Sequence, residues 1–342
     1  MGKRESSHAS LRSIVSDLFE PRASIYWSDF LLNVTVGWLT FIFALTPTLA
    51  DWQQWSLIII SSFALFRSAV FTHELVHLRR DRLQVFRLAW DALCGIPLLV
   101  PSFMYDGVHQ EHHFRSHYGT KGDGEYLPFG RASHLLLFGY LLSHILAPGL
   151  LLLRFAVIGP LSWRWPWLRR RVLLHMSSLS IDPTYRRTLP DQIPKSWMVQ
   201  DVACTIFIWS VLVLIAYDVV PAAALGQWYI MTFLVLTFNG LRTLVAHRYR
   251  NEGETMSFDA QLLDSINLSG HSPLTSLLAP VGLRYHALHH LFPTMPYHNL
   301  GAAHRRLLVN LPDDAIYRQT IEPGFISAFK NLWKSSSQAA KA

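Results

Sequence analysis

The sequence predicts an all-α integral membrane protein built on two transmembrane helical hairpins. Hydrophobic residues make up 51% of the 342 and charged residues only 15%, a balance that fits a membrane protein better than two soluble domains. The longest apolar stretches occur in pairs joined by short turns. Twelve Trp, twelve Tyr and twenty Phe supply the aromatic load of interfacial belts. The net charge of +7 is spread along one long loop and the tail, with no single basic arm, so the expected partner is anionic lipid rather than nucleic acid. Cys94 and Cys204 sit in apolar stretches, which excludes a disulfide framework, a C-x-x-C pair and an iron–sulfur ligand set.

Residues 1–10 are polar and lack an apolar core, so no cleavable secretory signal is expected. Leu11, Ile14, Val15, Leu18 and Phe19 share one helical face, which predicts a short surface helix before Pro21. Segments 30–50 and 57–72, joined by the turn 51–55, read as the first hairpin, and 202–220 with 228–246 as the second, joined by a loop containing Pro221 and Gly226. Two further apolar runs, 83–103 and 135–158, carry Pro97, Pro148 and Gly149. They are expected to dip into the membrane or lie along it, because a full crossing by either alone would carry one histidine cluster to the far side. Four transmembrane helices result. Both short turns lack Lys and Arg, whereas 78–195 holds Arg79, Arg80, Arg82 and the triplet Arg169, Arg170 and Arg171. The positive-inside rule therefore places the long loop and both termini in the cytoplasm. The chain divides into an N-terminal segment 1–27, a membrane domain 28–312 and a cytosolic tail 313–342.

Seventeen histidines are present, and eight form three compact clusters: His73 with His77, His109 with His112 and His113, and His286 with His289 and His290. All three fall on the predicted cytoplasmic side. Helical positions four apart lie on one face about 6 Å apart along the axis, so each cluster can offer several rings to one ion. Eight imidazoles exceed the four ligands of one tetrahedral zinc, which indicates two metals; imidazole suits iron, zinc and copper.

The three clusters, with their surroundings, resemble the histidine boxes of the membrane fatty acid desaturase superfamily, which includes hydroxylases and ketolases. Box one is Phe71-Thr72-His73-Glu74-Leu75-Val76-His77 at the end of the second span, and box two is His109-Gln110-Glu111-His112-His113. Asp123-Gly124-Glu125-Tyr126 resembles the acidic segment that trails box two, and box three lies in Tyr285-His286-Ala287-Leu288-His289-His290-Leu291-Phe292-Pro293. The resemblance covers roughly 28–310. It implies two non-haem irons held under a cap of cytosolic helices, with dioxygen as co-substrate. Relatives often carry a further His at the cytoplasmic end of the fourth span, which points to His247 ahead of His271 and His117.

An unactivated C–H bond offers no acidic proton and no electrophilic carbon, so side-chain acids, bases and nucleophiles cannot cleave it. The resemblance thus implies oxidation of a fatty acid or acyl lipid. Desaturation is the favoured outcome, with hydroxylation or alkene-forming decarboxylation as alternatives. Glu74, Glu111 and Asp106 are candidates for carboxylates that orient the ligating rings. The chain has no His-Pro-Gly-Gly segment, flavin fingerprint or Cys cluster, so electrons are expected from a separate ferredoxin- or cytochrome b5-type donor with its reductase. A rival reading takes His73-Glu74-Leu75-Val76-His77 as the H-E-x-x-H of a membrane zinc protease. That reading leaves six clustered histidines without a role.

Overall fold

The computed structural model describes residues 8–79 and 81–339, so most of the N-terminus read above as signal-free lies outside the described residues. Helix α1 (His8–Ile14) leads into α2 (Ala23–Phe43) and α3 (Asp51–His77), the first hairpin. Lipid tails are as apolar as leucine, so helices there are joined by close packing and hydrogen bonds between small residues. Gly37 and Ser61 supply both: a Cβ on Gly37 would stand 2.6 Å from Leu65 Cγ, and Ser61 Oγ donates to the Gly37 carbonyl at 2.8 Å. α3 ends where Leu78 turns extended, leaving His73 and His77 in its last turns.

Segment 83–103 does not form a long helix. α4 (Gln84–Trp90) passes into a π-helical turn, Asp91–Gly95, and the chain then folds back. The Asp91 carboxylate accepts from Ser102 N–H at 2.8 Å and from its hydroxyl at 2.7 Å, which closes the bend. Trp90 Nε1 donates to the Ser68 carbonyl at 2.8 Å, docking the segment on α3. α5 (Val108–His113) follows and carries box two.

The next apolar run departs from expectation. α6 (His134–Leu153) continues through a π-helical turn, Arg154–Ile158, into α7 (Gly159–Arg164) with no interruption at Pro148 or Gly149. Membrane helices tolerate proline where neighbours satisfy the loosened backbone, and beside Pro148 the Tyr229 hydroxyl donates to the Ile145 carbonyl at 2.6 Å. By length and composition, five helices among the described residues could cross a membrane: α2, α3, the 31-residue run His134–Arg164, α9 (Lys195–Ala216) and α10 (Ala223–Thr243). Between them, α8 (Pro166–His175) has only 10 residues.

Two carboxylates gather charged and polar groups from different helices. Arg67 Nε and Nη2 meet the Asp29 carboxylate at 2.7 and 2.5 Å, and Tyr297 OH donates to the same carboxylate at 2.8 Å. Asp201 on α9 is fully buried and takes Arg154 at 2.9 Å, Trp163 Nε1 at 3.2 Å and Arg169, so one carboxylate pins α6, α7 and α8 to α9.

Past α10 lie α11 (Phe258–Asp264), strand β1 (Asn267–Leu268), α12 (Pro273–Leu278), α13 (His286–Leu291), α14 (Tyr297–Asn310), β2 (Ile321–Glu322) and α15 (Phe325–Ala339). β1 and β2 pair in parallel. Asn267 ties this ribbon to box three: its Oδ1 accepts from Leu288 N–H at 3.0 Å and its Nδ2 donates to Thr320 Oγ1 at 2.8 Å.

Candidate metal centre

The end of α3, the short α5, the turn after α10 and α13 bring the histidines together. Gln110 joins two of these pieces: its Oε1 accepts from Gly107 N–H at 2.6 Å, starting α5, and its Nε2 donates to the Val76 carbonyl at 3.1 Å, holding α5 to α3. Gly107 has φ +85°, a conformation that favours glycine at this corner.

Two groups of four result: His73, His77, His109 and His289, and His112, His247, His286 and His290. Within each group the ligand atoms all lie within 4.8 Å of one another. His113 stands at the seam. Its Nε2 is 3.1 Å from both His109 Nε2 and His289 Nε2, and its ring stacks on His290 at 4.3 Å. All nine expected residues are thus assembled. His271 is exposed ahead of α12, and His117 is bonded to Glu111, outside both groups.

Three rings have their outer nitrogen engaged. His109 Nδ1 lies 2.8 Å from Glu125 Oε1, and His112 Nδ1 lies 2.8 Å from Asp123 Oδ2. His247 Nδ1 lies 2.8 Å from Tyr118 OH, whose proton goes to Asp264 Oδ2 at 2.8 Å, so Nδ1–H is the donor. This fixes the tautomer that leaves the Nε2 lone pair facing inward. Those nitrogens face one another: His112 and His286 Nε2 lie 3.1 and 2.8 Å from His247 Nε2. Two lone pairs at that separation repel unless something positive lies between them. Nitrogens about 2.1 Å from one ion and at right angles to each other are about 3 Å apart.

Orphaned atoms point the same way. Both ring nitrogens of His73 and Nε2 of His77 are buried without a hydrogen-bond partner. Burial, followed by the charge each ring would place on its neighbours, holds His109, His113, His247, His286 and His289 far below the ordinary imidazole range. They are neutral donors ready for cations. At His112 burial opposes the charge, but the Asp123 carboxylate outweighs it and the net shift is upward. Burial pushes the Glu125 carboxyl up to about 7. The donor set fits two imidazole-bound metal ions.

The carboxylates that orient the rings are not those expected. Glu74 Oε2 accepts from Tyr26 OH at 2.6 Å and Tyr297 N–H at 3.0 Å, Glu111 holds His117, and Asp106 meets Gln110. With its carboxylate tied to α2 and α14, Glu74 does not face an ion between His73 and His77 as a protease base would. The actual partners, Asp123 and Glu125, stand in the acidic segment already noted after box two. Gly119, at φ +69°, turns that segment inward, and its N–H donates to Asp123 Oδ2 at 2.8 Å.

A cavity of about 450 Å³ reaches His73 from between α3, α6 and α10. Phe66, Val70, Leu98, Leu150 and Val235 give it an apolar wall.

The family model described as fatty acid desaturase matches residues 50–321. A ceramide hydroxylase of Caulobacter vibrioides (strain NA1000 / CB15N) is 40% identical over 326 residues, covering 95% of this chain and 93% of that protein. That similarity overturns the expectation of desaturation. Both reactions begin with loss of one hydrogen from carbon and differ only in the next event, so the histidine boxes on which the expectation rested could not separate them.

Proposed function

This chain belongs to the fatty acid desaturase family, and from that premise we propose that it is an oxygen-dependent membrane hydroxylase acting on the hydrocarbon part of a ceramide-like lipid. The observation that carries the reading is 40% identity to a ceramide hydroxylase across 95% of the chain. One iron would be held by His73, His77, His109 and His289, a second by His112, His247, His286 and His290, with His113 between them. With iron bound, the centre would supply the oxidant that converts C–H to C–OH, consuming dioxygen, two electrons and two protons and releasing water.

The protein's own residues do the rest. Asp123, Glu125 and the Tyr118–Asp264 pair hold three rings in the ligating tautomer. The apolar cavity admits the hydrocarbon to His73 and keeps bulk water from it. Electrons would come from a separate ferredoxin- or cytochrome b5-type protein.

Four crossings support the site, with the histidines facing the cytoplasm. A parity argument supports this count. His112 and His247 are 3.1 Å apart, so the segments after α3 and after α10 emerge on one side. α9 and α10 are consecutive long helices joined by a short loop, so with both crossing α9 also starts on that side. The run His134–Arg164 must then leave and return on the same side, entering without a net crossing.

The test is a lipid profile of membranes from cells expressing the chain beside its His289→Ala variant. The expected product is ceramide carrying one added oxygen, absent in the variant. A product lacking two hydrogens, or no change in any ceramide, refutes the reading.

A further inference from the structure

Arg242 has no obvious structural employment. It is 7% exposed and lies on the wall of the cavity that reaches His73. Its Nη2 donates to Asn239 Oδ1 at 3.2 Å, while its Nε is buried without a partner. Among the described residues no carboxylate stands within ion-pairing distance of it. Other arginines within or beside the long helices differ: Arg67 has Asp29, Arg154 and Arg169 share Asp201, and Arg187, 3% exposed, donates to the Ser177 and Asp106 carbonyls and lies over the Trp197 ring. Glu125, also on the cavity wall, is committed to His109 and Tyr105. A buried cation with no ion-pair partner and no full set of acceptors is unfavourable, and inside a membrane helix it marks a functional position.

The neighbours narrow what it would bind. Asn239, Ser143, His144 and Tyr140 share the wall, and all are neutral groups that both donate and accept. His144 reaches this place because α10 has a glycine opposite: a Cβ on Gly240 would stand 2.7 Å from His144 Cε1. The His144 Nδ1 lies 3.2 Å from the Leu141 carbonyl, which sets the proton there and leaves Nε2 to accept. A carboxylate would use the donors of this wall and leave its acceptors unmatched. An amide flanked by hydroxyls has acceptor oxygens for a guanidinium and N–H and O–H donors for Asn239 and His144.

We propose that Arg242, with Asn239 and His144, is the subsite that recognises the polar head of the lipid, taking the amide and hydroxyl oxygens of an N-acyl amino-alcohol. The assignment rests on the ceramide reading above and adds where that head sits. Arg242 and His73 line one cavity, so the head is held beside the metal centre. The oxidised carbon is therefore close to the head, and the distal methylenes occupy the apolar part of the cavity.

The test uses full-length protein in detergent, with binding measured to a fluorescent ceramide, a fluorescent fatty acid and a fluorescent alkane of equal length. Wild type is expected to prefer ceramide. Arg242→Leu is expected to weaken ceramide binding about tenfold or more, the size of one charge-assisted hydrogen bond, and to leave alkane binding unchanged; Arg242→Lys is expected to recover part of the loss. Fragmentation of the wild-type product is expected to place the new hydroxyl next to the amide head. Metal content and melting temperature of each variant separate lost recognition from lost fold, and if Arg242→Leu does not fold, Asn239→Leu carries the same comparison. Retained ceramide preference in a folded Arg242→Leu protein, or a hydroxyl far down the chain, overturns the subsite and leaves the ceramide reading standing. A wild-type preference for the fatty acid that disappears in Arg242→Leu makes this a carboxylate anchor and overturns the assignment of the head. No preference for ceramide over alkane in wild type removes both the ceramide reading and the subsite.

Discussion

At the scale of single residues, the centre depends on groups that never touch a ligand. Asp123 is fully buried and accepts from His112 Nδ1, Gly119 N–H at 2.8 Å and Glu125 N–H at 2.9 Å. Asp123→Asn preserves shape but cannot hold a proton on His112 with a full negative charge. Metal content is expected to fall about 10- to 100-fold in affinity, the usual effect of losing such a partner. Titration of purified Asp123→Asn with iron, read by elemental analysis, checks this; unchanged affinity would mean the ring is oriented by packing alone. The histidine spacing was legible because it is a local helical pattern. The partner carboxylates were not, since which of Asp106, Glu111, Asp123 and Glu125 faces a ring depends on the left-handed turn at Gly119, and spacing does not encode it.

Among the elements, the run His134–Arg164 is held less by its own sequence than by one carboxylate. Asp201 bonds Arg154 and Arg169, and Arg154 also donates to the Met176 carbonyl at 3.0 Å and to Ser177 Oγ at 3.1 Å. Removing one partner of a buried ion pair leaves uncompensated charge and costs about 3–5 kcal/mol. Asp201→Ala leaves two guanidiniums in that state. Its melting temperature in detergent is expected to drop sharply, while Asp201→Asn, which keeps the hydrogen-bond acceptor, drops less; equal melting of Asp201→Ala and wild type would show that α9 does not anchor the run. The helices α2, α3, α9 and α10 could be read from apolar length, which is a sum over residues. The continuity of α6 into α7 could not, because Pro148 and Gly149 break an isolated helix and only the surrounding helices, through groups such as Tyr229 OH, let it continue.

For the whole molecule, four crossings and five long apolar helices make different topologies. Reporter fusions distinguish them. Fusions after Val220 are expected to report the side opposite the cytoplasm, and fusions after Pro128 and after Asp191 are expected to agree with each other on the cytoplasmic side. If 128 and 191 report opposite sides, the run His134–Arg164 crosses and the parity argument fails. The arrangement also has a bearing on how the protein is made. One group of imidazoles draws on His73, His77, His109 and His289, the other on His112, His247, His286 and His290. Neither can close before box three has left the ribosome, and that box is braced by Thr320 through Asn267. A nascent chain therefore passes through most of its translation, and through insertion of both hairpins, with its histidines in separate and incomplete sets. Capture of the ions becomes a late, post-insertional event, and a shortage of metal would leave a fully inserted protein with uncoordinated rings rather than a truncated or uninserted one.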